Sequence, residues 1–311
     1  MSNVLKYKPQ TINKISMSFL PDAVQAQSLG MKVLDVDFST KTFSDGSVQV
    51  NLVGDSVALS TLTESYRNCA ITAYIGNMDD LMIVAQLKEL ANRLAPLCAV
   101  RLNLISPTYT RYDRVMLDGG VDAFSLKCYA NFINSLGFAG VLTFDVHSDV
   151  TTQLVQRSVN YPTLGADRKV MGIDLDKVTL VAPDKGALKK MPFAPVVFDK
   201  VRDLSSSNIT SYELVKCKAL FDLPNDFLVV DDICDGGRTF INLAESFREK
   251  FPQANSLSLY ITHGIFCHDA LDRLTQVYDK VLVAFIRESV YNSLSAEVIA
   301  KLVVKHVVLG V

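Results

Sequence analysis

Beyond residue 60 the hydrophobic positions fall into short runs rich in β-branched residues, each followed by a polar loop and then by apolar residues at helical spacing. CAITAYIG (69–76) precedes MDDLMIVAQLKELANRLA (78–95), and AVRLNLI (99–105) precedes AFSLKCYANFINSL (123–136), which stops at Gly137. The runs VLTFDV (141–146), VTLVAP (178–183), FLVVDDI (227–233), SLSLYIT (256–262) and KVLVAFI (280–286) continue the alternation, with TFINLAESFREKF (239–251) as the clearest helix between them. Apolar strands alternating with helices specify βα units, hence an α/β fold with mostly parallel sheets covered on both faces. Near the front, VLDVDF, the turn FSDGS and VQVNL predict a β-hairpin. A chain of 311 residues suits two consecutive α/β domains. The least regular stretch, 148–170, sets the expected boundary, giving domains 1–157 and 158–311.

Composition acts mainly by exclusion. With Lys+Arg 31 against Asp+Glu 33, no net field draws nucleic acid or an anionic membrane, so phosphate binding has to arise locally. The six cysteines contain no C-x-x-C pair and the four histidines fall at no zinc spacing, which argues against a disulfide framework or structural zinc. The opening MSNVLKYKPQ lacks an apolar signal region, and no apolar run approaches the roughly 18 residues that cross a bilayer. A reducing, cytoplasmic setting is expected.

The strongest chemical signal is VVDDICDGGRTF (229–240), in which an apolar strand ends in two carboxylates, passes a glycine turn and opens a helix at Arg238 and Thr239. Gly236 and Gly237 let backbone approach a ligand, and the following helix start presents N–H groups suited to phosphate. Asp231 and Asp232 stand at the carboxyl end of a strand, where open α/β sheets bind ligands, and suit ribose hydroxyls or a Mg-bound water. A plain acidic turn before a helix is the simpler alternative, but it leaves the concentration of these features in ten residues unexplained.

This stretch resembles the ribose-5-phosphate loop shared by phosphoribosyltransferases and phosphoribosyl pyrophosphate synthetases, and the rest of the chain resembles the synthetases. FSDGS (43–47) is similar to their FxDGE hairpin, TYTRYDR (108–114) to YxRQD(R/K), and VLTFDVHSD (141–149) to VLTxDLHxxQ. APDKGA (182–187) is similar to SPDAGG, FDKVRD (198–203) to the mobile loop with Lys-x-Arg, and YITHGIF (260–266) to ATHGxF. The resemblance implies two phosphoribosyltransferase-like domains and a Mg2+-dependent transfer of the β,γ-diphosphate of ATP to the anomeric hydroxyl of ribose 5-phosphate, with AMP released. It implies that His147 and Asp184 hold the metal of MgATP, although a lone histidine after a strand is more often structural. By the same resemblance Asp184, Lys185 and Gly186 would form the diphosphate loop. Lys200 and Arg202 would be the catalytic cations that neutralise charge on the β,γ-phosphates, with His147, at the metal or triphosphate, as a third catalytic residue. Phe43 and Asp45 would meet the adenine from a neighbouring subunit, Arg111, Tyr112 and Asp113 would contact ATP, and Asp231, Asp232, Asp235, Gly236, Gly237, Arg238 and Thr239 would bind the ribose phosphate. The partners implied are ATP and an acceptor bearing ribose 5-phosphate, in a homo-oligomer, dimeric or hexameric, with shared active sites.

The departures bear on substrate. The usual D-T-x-G-T loop here reads Asp235-Gly236-Gly237-Arg238-Thr239, so a threonine is replaced by glycine and a glycine by arginine. Space plus a fork-shaped cation suits a larger acceptor such as ADP-ribose, whose 1-diphosphate would serve NAD salvage. Arg238 covering the same 5-phosphate of ribose 5-phosphate is the simpler alternative. Tyr112, Ser47 and Lys185 stand where the family has Gln, Glu and Ala. Lys185-Gly186 also resembles the diphosphate loop of phosphoribosyltransferases, which leaves a base-dependent transferase as a further alternative, beside a non-catalytic subunit of a synthetase.

Overall fold

Two α/β units make up the protein, whose computed structural model describes residues 9–54, 66–106, 108, 111–113, 122–162, 169–171, 173–202, 209–217 and 223–309. One unit is Asn13–Tyr161; the other is Pro162–Gly310 together with the early strand Gln10–Ile12. The strands, in chain order, are β1 (Gln10–Ile12), β2 (Ile15–Leu20), β3 (Leu34–Val36), β4 (Phe38–Thr42), β5 (Val48–Leu52), β6 (Asn68–Tyr74), β7 (Ala99–Ile105), β8 (Gly140–Phe144) and β9 (Ser158–Tyr161). There follow β10 (Lys169–Val170), β11 (Ile173–Asp174), β12 (Thr179–Ala182), β13 (Val196–Arg202), β14 (Ile209–Cys217), β15 (Asp226–Cys234), β16 (Ser256–Gly264), β17 (Lys280–Arg287) and β18 (Leu302–Val308).

In Asn13–Tyr161 a sheet of order β3-β2-β6-β7-β8-β9 is parallel from β6 to β9 and antiparallel at β2 and β3. Ile71, Leu102 and Leu104 of its strands are buried with Leu81, Val84 and Leu87 of the helix Met78–Leu94. That helix starts where it does because Asn77 and Asp80 cap each other's main chain. The Asp80 carboxylate, 2% exposed, is satisfied by the N–H groups of Gly76 and Asn77 and by Lys14 Nζ at 2.6 Å, so the buried charge is compensated. The expected hairpin forms from β4 and β5 alone. The first part of VLDVDF instead becomes β3, which pairs with β2 and buries Val36 against the main core, because its apolar alternation fits that sheet edge. The hairpin is fastened to the helix by Gln86, whose Oε1 accepts from Val50 N and whose Nε2 donates to Val48 O.

In the other unit the sheet order is β1-β18-β17-β16-β15-β12-β13-β14, parallel throughout except for β14. β16 and β17 are buried almost end to end, as a sheet covered on both faces requires. The mostly parallel α/β architecture is therefore the one the alternation predicts. Neither β1 nor β18 stands out in the hydrophobic pattern, yet they close one edge together. The core on one face is an aromatic cluster of Phe198, Phe227, Phe247 and Phe251, with Phe247 stacked on Phe251 at 4.8 Å and edge-on to Phe227 at 4.9 Å. No helix among the described residues is long and apolar enough to cross a membrane.

Truncating Phe247 removes a ring that touches all three others, as Phe251 also does. Phe247→Ala should lower unfolding free energy by about 3–5 kcal/mol in chemical denaturation; a loss below about 1 kcal/mol would mean that the cluster does not hold this unit together.

Candidate functional site

From β12 the chain crosses to β13 on one side, and after β14 it returns to β15 on the other side of β12. The loops leaving the carboxyl ends of β12 and β15 thus diverge and leave a crevice between them, the place where open α/β sheets take ligands. Asp184 caps the short helix Lys185–Lys190 after β12, its Oδ1 accepting from Ala187 N at 2.9 Å. Its Oδ2 receives Lys200 Nζ from β13 at 2.5 Å. Burial pushes the Asp184 carboxyl up, but the Lys200 hydrogen bond and charge and the N–H groups of Ala187 and Gly186 outweigh it and hold the group below its ordinary value. For Lys200 burial pulls the ammonium down, while Asp184 first, then Tyr212 and Asp231, hold it above its ordinary value. Lys185 in turn meets Asp199 Oδ2 at 2.5 Å. Two Asp-Lys dipeptides, 184–185 and 199–200, are therefore paired crosswise.

The adjacent carboxylates of β15 differ in their surroundings. Asp232, 3% exposed, pairs with Lys190 Nζ at 3.1 Å from the end of the short helix. Asp231 Oδ1 accepts from Asp232 N at 2.9 Å. Burial, and then the neighbouring carboxylates of Asp232 and Asp184, push Asp231 well above the usual carboxylate range. Beyond β15, the carbonyls of Cys234, Asp235 and Gly236 are tied back by Ile265 N, Cys267 N and the Arg273 guanidinium, which fixes the loop from behind. Gly237 occupies the left-handed region at φ 74°, with the Leu274 and Ala270 side chains in van der Waals contact with the place of a Cβ. Only glycine takes that backbone without strain. At Gly236 a Cβ would meet nothing within 4 Å, so the loop is open there. Arg238 is exposed at the first position of the helix Arg238–Lys250, and Thr239 is half-buried beside it. The start of this 13-residue helix adds partial positive charge.

The remaining predicted residues belong to the unit Asn13–Tyr161. Phe43 and Asp45 sit at the tip of the β4–β5 hairpin, Phe43 exposed under Lys41 Nζ at 4.6 Å. Gly46 turns the chain at φ 83°, and the Ser47 side chain and N–H hydrogen-bond to Asp45 and hold its carboxyl below the ordinary range. Arg111, Tyr112 and Asp113 lie in the segment after β7, with Tyr112 exposed. His147 is exposed in the turn after β8, two residues past Asp145, which is buried with φ 44°.

Asp184, Lys185, Gly186, Lys200, Asp231, Asp232 and Asp235–Thr239 are thus gathered in one crevice of one unit. Phe43 and Asp45, Arg111–Asp113, and His147 occupy three loops of the other. Lys200 stands on a strand, and Arg202 follows at its end opposite Ile209, with its side chain outside the described residues. Tyr109, Thr110 and Arg114 of the TYTRYDR segment and Asp203 of FDKVRD also lie outside them. No group of three or more His, Cys, Asp or Glu that could hold a metal occurs among the described residues. Sequence reasoning missed Lys190 and Tyr212. Lys190 carries a signal only in its distance of six residues from Asp184, and Tyr212 carries none.

Comparison with known proteins places these features in context. No family model matches the chain. The chain is 25% identical over 264 residues to a ribose-phosphate pyrophosphokinase of Thermococcus kodakarensis, covering 83% of this chain and 88% of that protein. It is 28% identical over 283 residues to the protein so named in Hyphomonas neptunium, covering 85% and 82%. In fold it resembles the crystal structure of phosphoribosylpyrophosphate synthetase from Mycobacterium smegmatis, with a TM-score of 0.62 at 19% identity, covering 90% of this chain and 89% of that one.

The raised Asp231 gives a stability signature. A carboxyl whose folded value exceeds its unfolded one, about 3.9, leaves the wild type fully stable below that pH and progressively weaker as pH rises toward the folded value. Asp231→Asn removes this decline. Its melting temperature should meet that of the wild type near pH 4 and exceed it increasingly toward neutrality; parallel curves across the range would show that Asp231 is not proton-holding.

Proposed function

The chain belongs to the ribose-phosphate pyrophosphokinase family of transferases, and on that premise we propose that it transfers the β,γ-diphosphate of MgATP to the anomeric hydroxyl of an acceptor bearing ribose 5-phosphate. The observation that carries the reading is the pairing of Lys200 with Asp184 in the crevice that also contains the Asp231–Asp232 pair and the Asp235–Thr239 loop. An acceptor phosphate fits the helix start and the Thr239 hydroxyl, with the ribose hydroxyls turned to Asp231 and Asp232. That orientation brings the anomeric end toward Lys200. The reaction needs positioning and charge neutralisation rather than a covalent enzyme intermediate, and a cation held above its ordinary value supplies the second.

Mg2+ suits Asp184, because that ion favours one or two carboxylates with waters and substrate phosphates over a protein cage. When bound, it neutralises phosphate charge and orients the transferred group. Asp184 would hold the metal in place of its pairing with Lys200, which would leave the Lys200 ammonium available to neutralise phosphate charge. His147 is assigned to the metal or triphosphate, Arg202 to the transferred phosphates, and Phe43, Asp45, Arg111, Tyr112 and Asp113 to the nucleotide, with Phe43 and Asp45 serving a neighbouring subunit of a homo-oligomer. Asn13–Tyr161 is read as the nucleotide-contacting half and the other unit as the acceptor half. A cytoplasmic setting is part of this reading.

The acceptor proposed first is ribose 5-phosphate. The open position at Gly236 and the exposed Arg238 favour a second reading, in which ADP-ribose is the acceptor and its 1-diphosphate the product. Its second phosphate leaves past Gly236 and meets the Arg238 guanidinium. This product is an activated sugar suited to condensation with nicotinamide and so to NAD salvage.

AMP formation from MgATP, with ribose 5-phosphate and ADP-ribose supplied in parallel and products identified by mass, tests both readings. AMP is expected with one of them and should vanish on chelation of Mg2+. Lys200→Ala should lower kcat by about 10²-fold or more with either acceptor. Arg238→Ala should raise the acceptor KM chiefly with ADP-ribose. Absence of AMP with both acceptors would exclude the reaction and favour a base-dependent transferase or a non-catalytic subunit.

A further inference from the structure

Strand β14 brings to the crevice a buried polar side chain that no motif marks. Tyr212 is 3% exposed and stands directly opposite Lys200 in the β13–β14 register. Its ring belongs to the core that contains Phe198, Phe227 and Phe247. Its hydroxyl faces the charged end of that core, where Thr239, Lys200, Asp184 and Asp231 act on it. With none of them does the hydroxyl close a hydrogen bond of full geometry. Phenylalanine would fill the same volume without burying a donor, so within the fold alone the hydroxyl is a cost. A local cost at the meeting point of the acceptor loop, the catalytic lysine and the acceptor carboxylates is the mark of a functional position.

We propose that Tyr212 is a positioning residue for the transfer: its O–H donates to Thr239 Oγ1, so that the Thr239 proton is directed to the acceptor phosphate, while its ring holds the cross-strand partner Lys200 in place. The proposal rests on the reading of this crevice as the acceptor site. Hydrogen bonds in such a relay polarise one another, and the phosphate strengthens a Tyr212–Thr239 contact that is incomplete in the protein alone. The phenol keeps its proton throughout, consistent with burial pushing it above its ordinary value.

The test uses the full chain with Tyr212→Phe, Thr239→Val and the double variant. Tyr212→Phe should melt at or above the wild-type temperature, because the core loses only a poorly bonded hydroxyl. With whichever acceptor supports AMP release, its acceptor KM should rise about tenfold while its ATP KM stays within about twofold. In the Thr239→Val background the same change should add little, because both variants break one relay. A wild-type acceptor KM in Tyr212→Phe, or additive effects in the double variant, would overturn the assignment. Calorimetric binding of ribose 5-phosphate and ADP-ribose to the same proteins separates this from the reaction itself. Binding that Tyr212→Phe weakens, without AMP release by the wild type, removes the transfer reaction and leaves the positioning role; absence of acceptor binding by the wild type removes both.

Discussion

Between β12 and β15 the chain reverses its direction of travel across the sheet, and the loops at their carboxyl ends leave on opposite sides. That divergence is the constraint on which the charged site depends. A parallel sheet covered on both faces offers almost no place for carboxylates and ammonium groups except where its strands stop. Asp184, Lys200, Asp231 and Asp232 all stand at or near such stops; Asp184 is balanced by Lys200 from the next strand and Asp232 by Lys190 from a helix, while Asp231 is pushed toward holding a proton. The crevice is thus a product of topology before it is a product of individual side chains.

Within that crevice the ion pairs do not carry equal weight. Lys185, 73% exposed, meets Asp199 in solvent and contributes little to stability. Lys190 meets an Asp232 that is 4% exposed at its side chain, so the loss of that lysine would strand a buried carboxylate. Lys200 and Asp184 lie between these limits, each about one-fifth exposed. A half-buried pair is firm enough to place Lys200 and still close enough to water for a competing phosphate or cation to take one partner.

The α/β class, the long helices and most central strands were legible because their burial is two-sided and their periods are long. The helix Met78–Leu94 and strand Ala99–Ile105 match their predicted extents to within a residue. The segment 33–38 was misread because alternation specifies a half-buried strand without naming its partner, and Leu34–Val36 pairs with β2 instead of turning into the hairpin. The Asp231–Thr239 loop was legible as chemistry since its parts are contiguous. Lys200 alone reads as part of a solvated cationic stretch, and its partner Asp184 lies 16 residues away across a helix and a turn. Lys190 and Tyr212 acquire meaning only through contacts with Asp232 and Lys200, which no local pattern encodes.

The pairing of β1 with β18 sets an order of events during synthesis. Gln10–Ile12 emerges from the ribosome early but finds its hydrogen-bonding partner only when His306–Val308 has been made. Topologically, Asn13–Tyr161 is an insertion between a first strand and the rest of its own sheet. It has its own core and can condense while the early strand waits. The edge of the other sheet is closed last, by its earliest and its latest strands together, so the unit that holds the charged crevice reaches its final form only after both units have been synthesised.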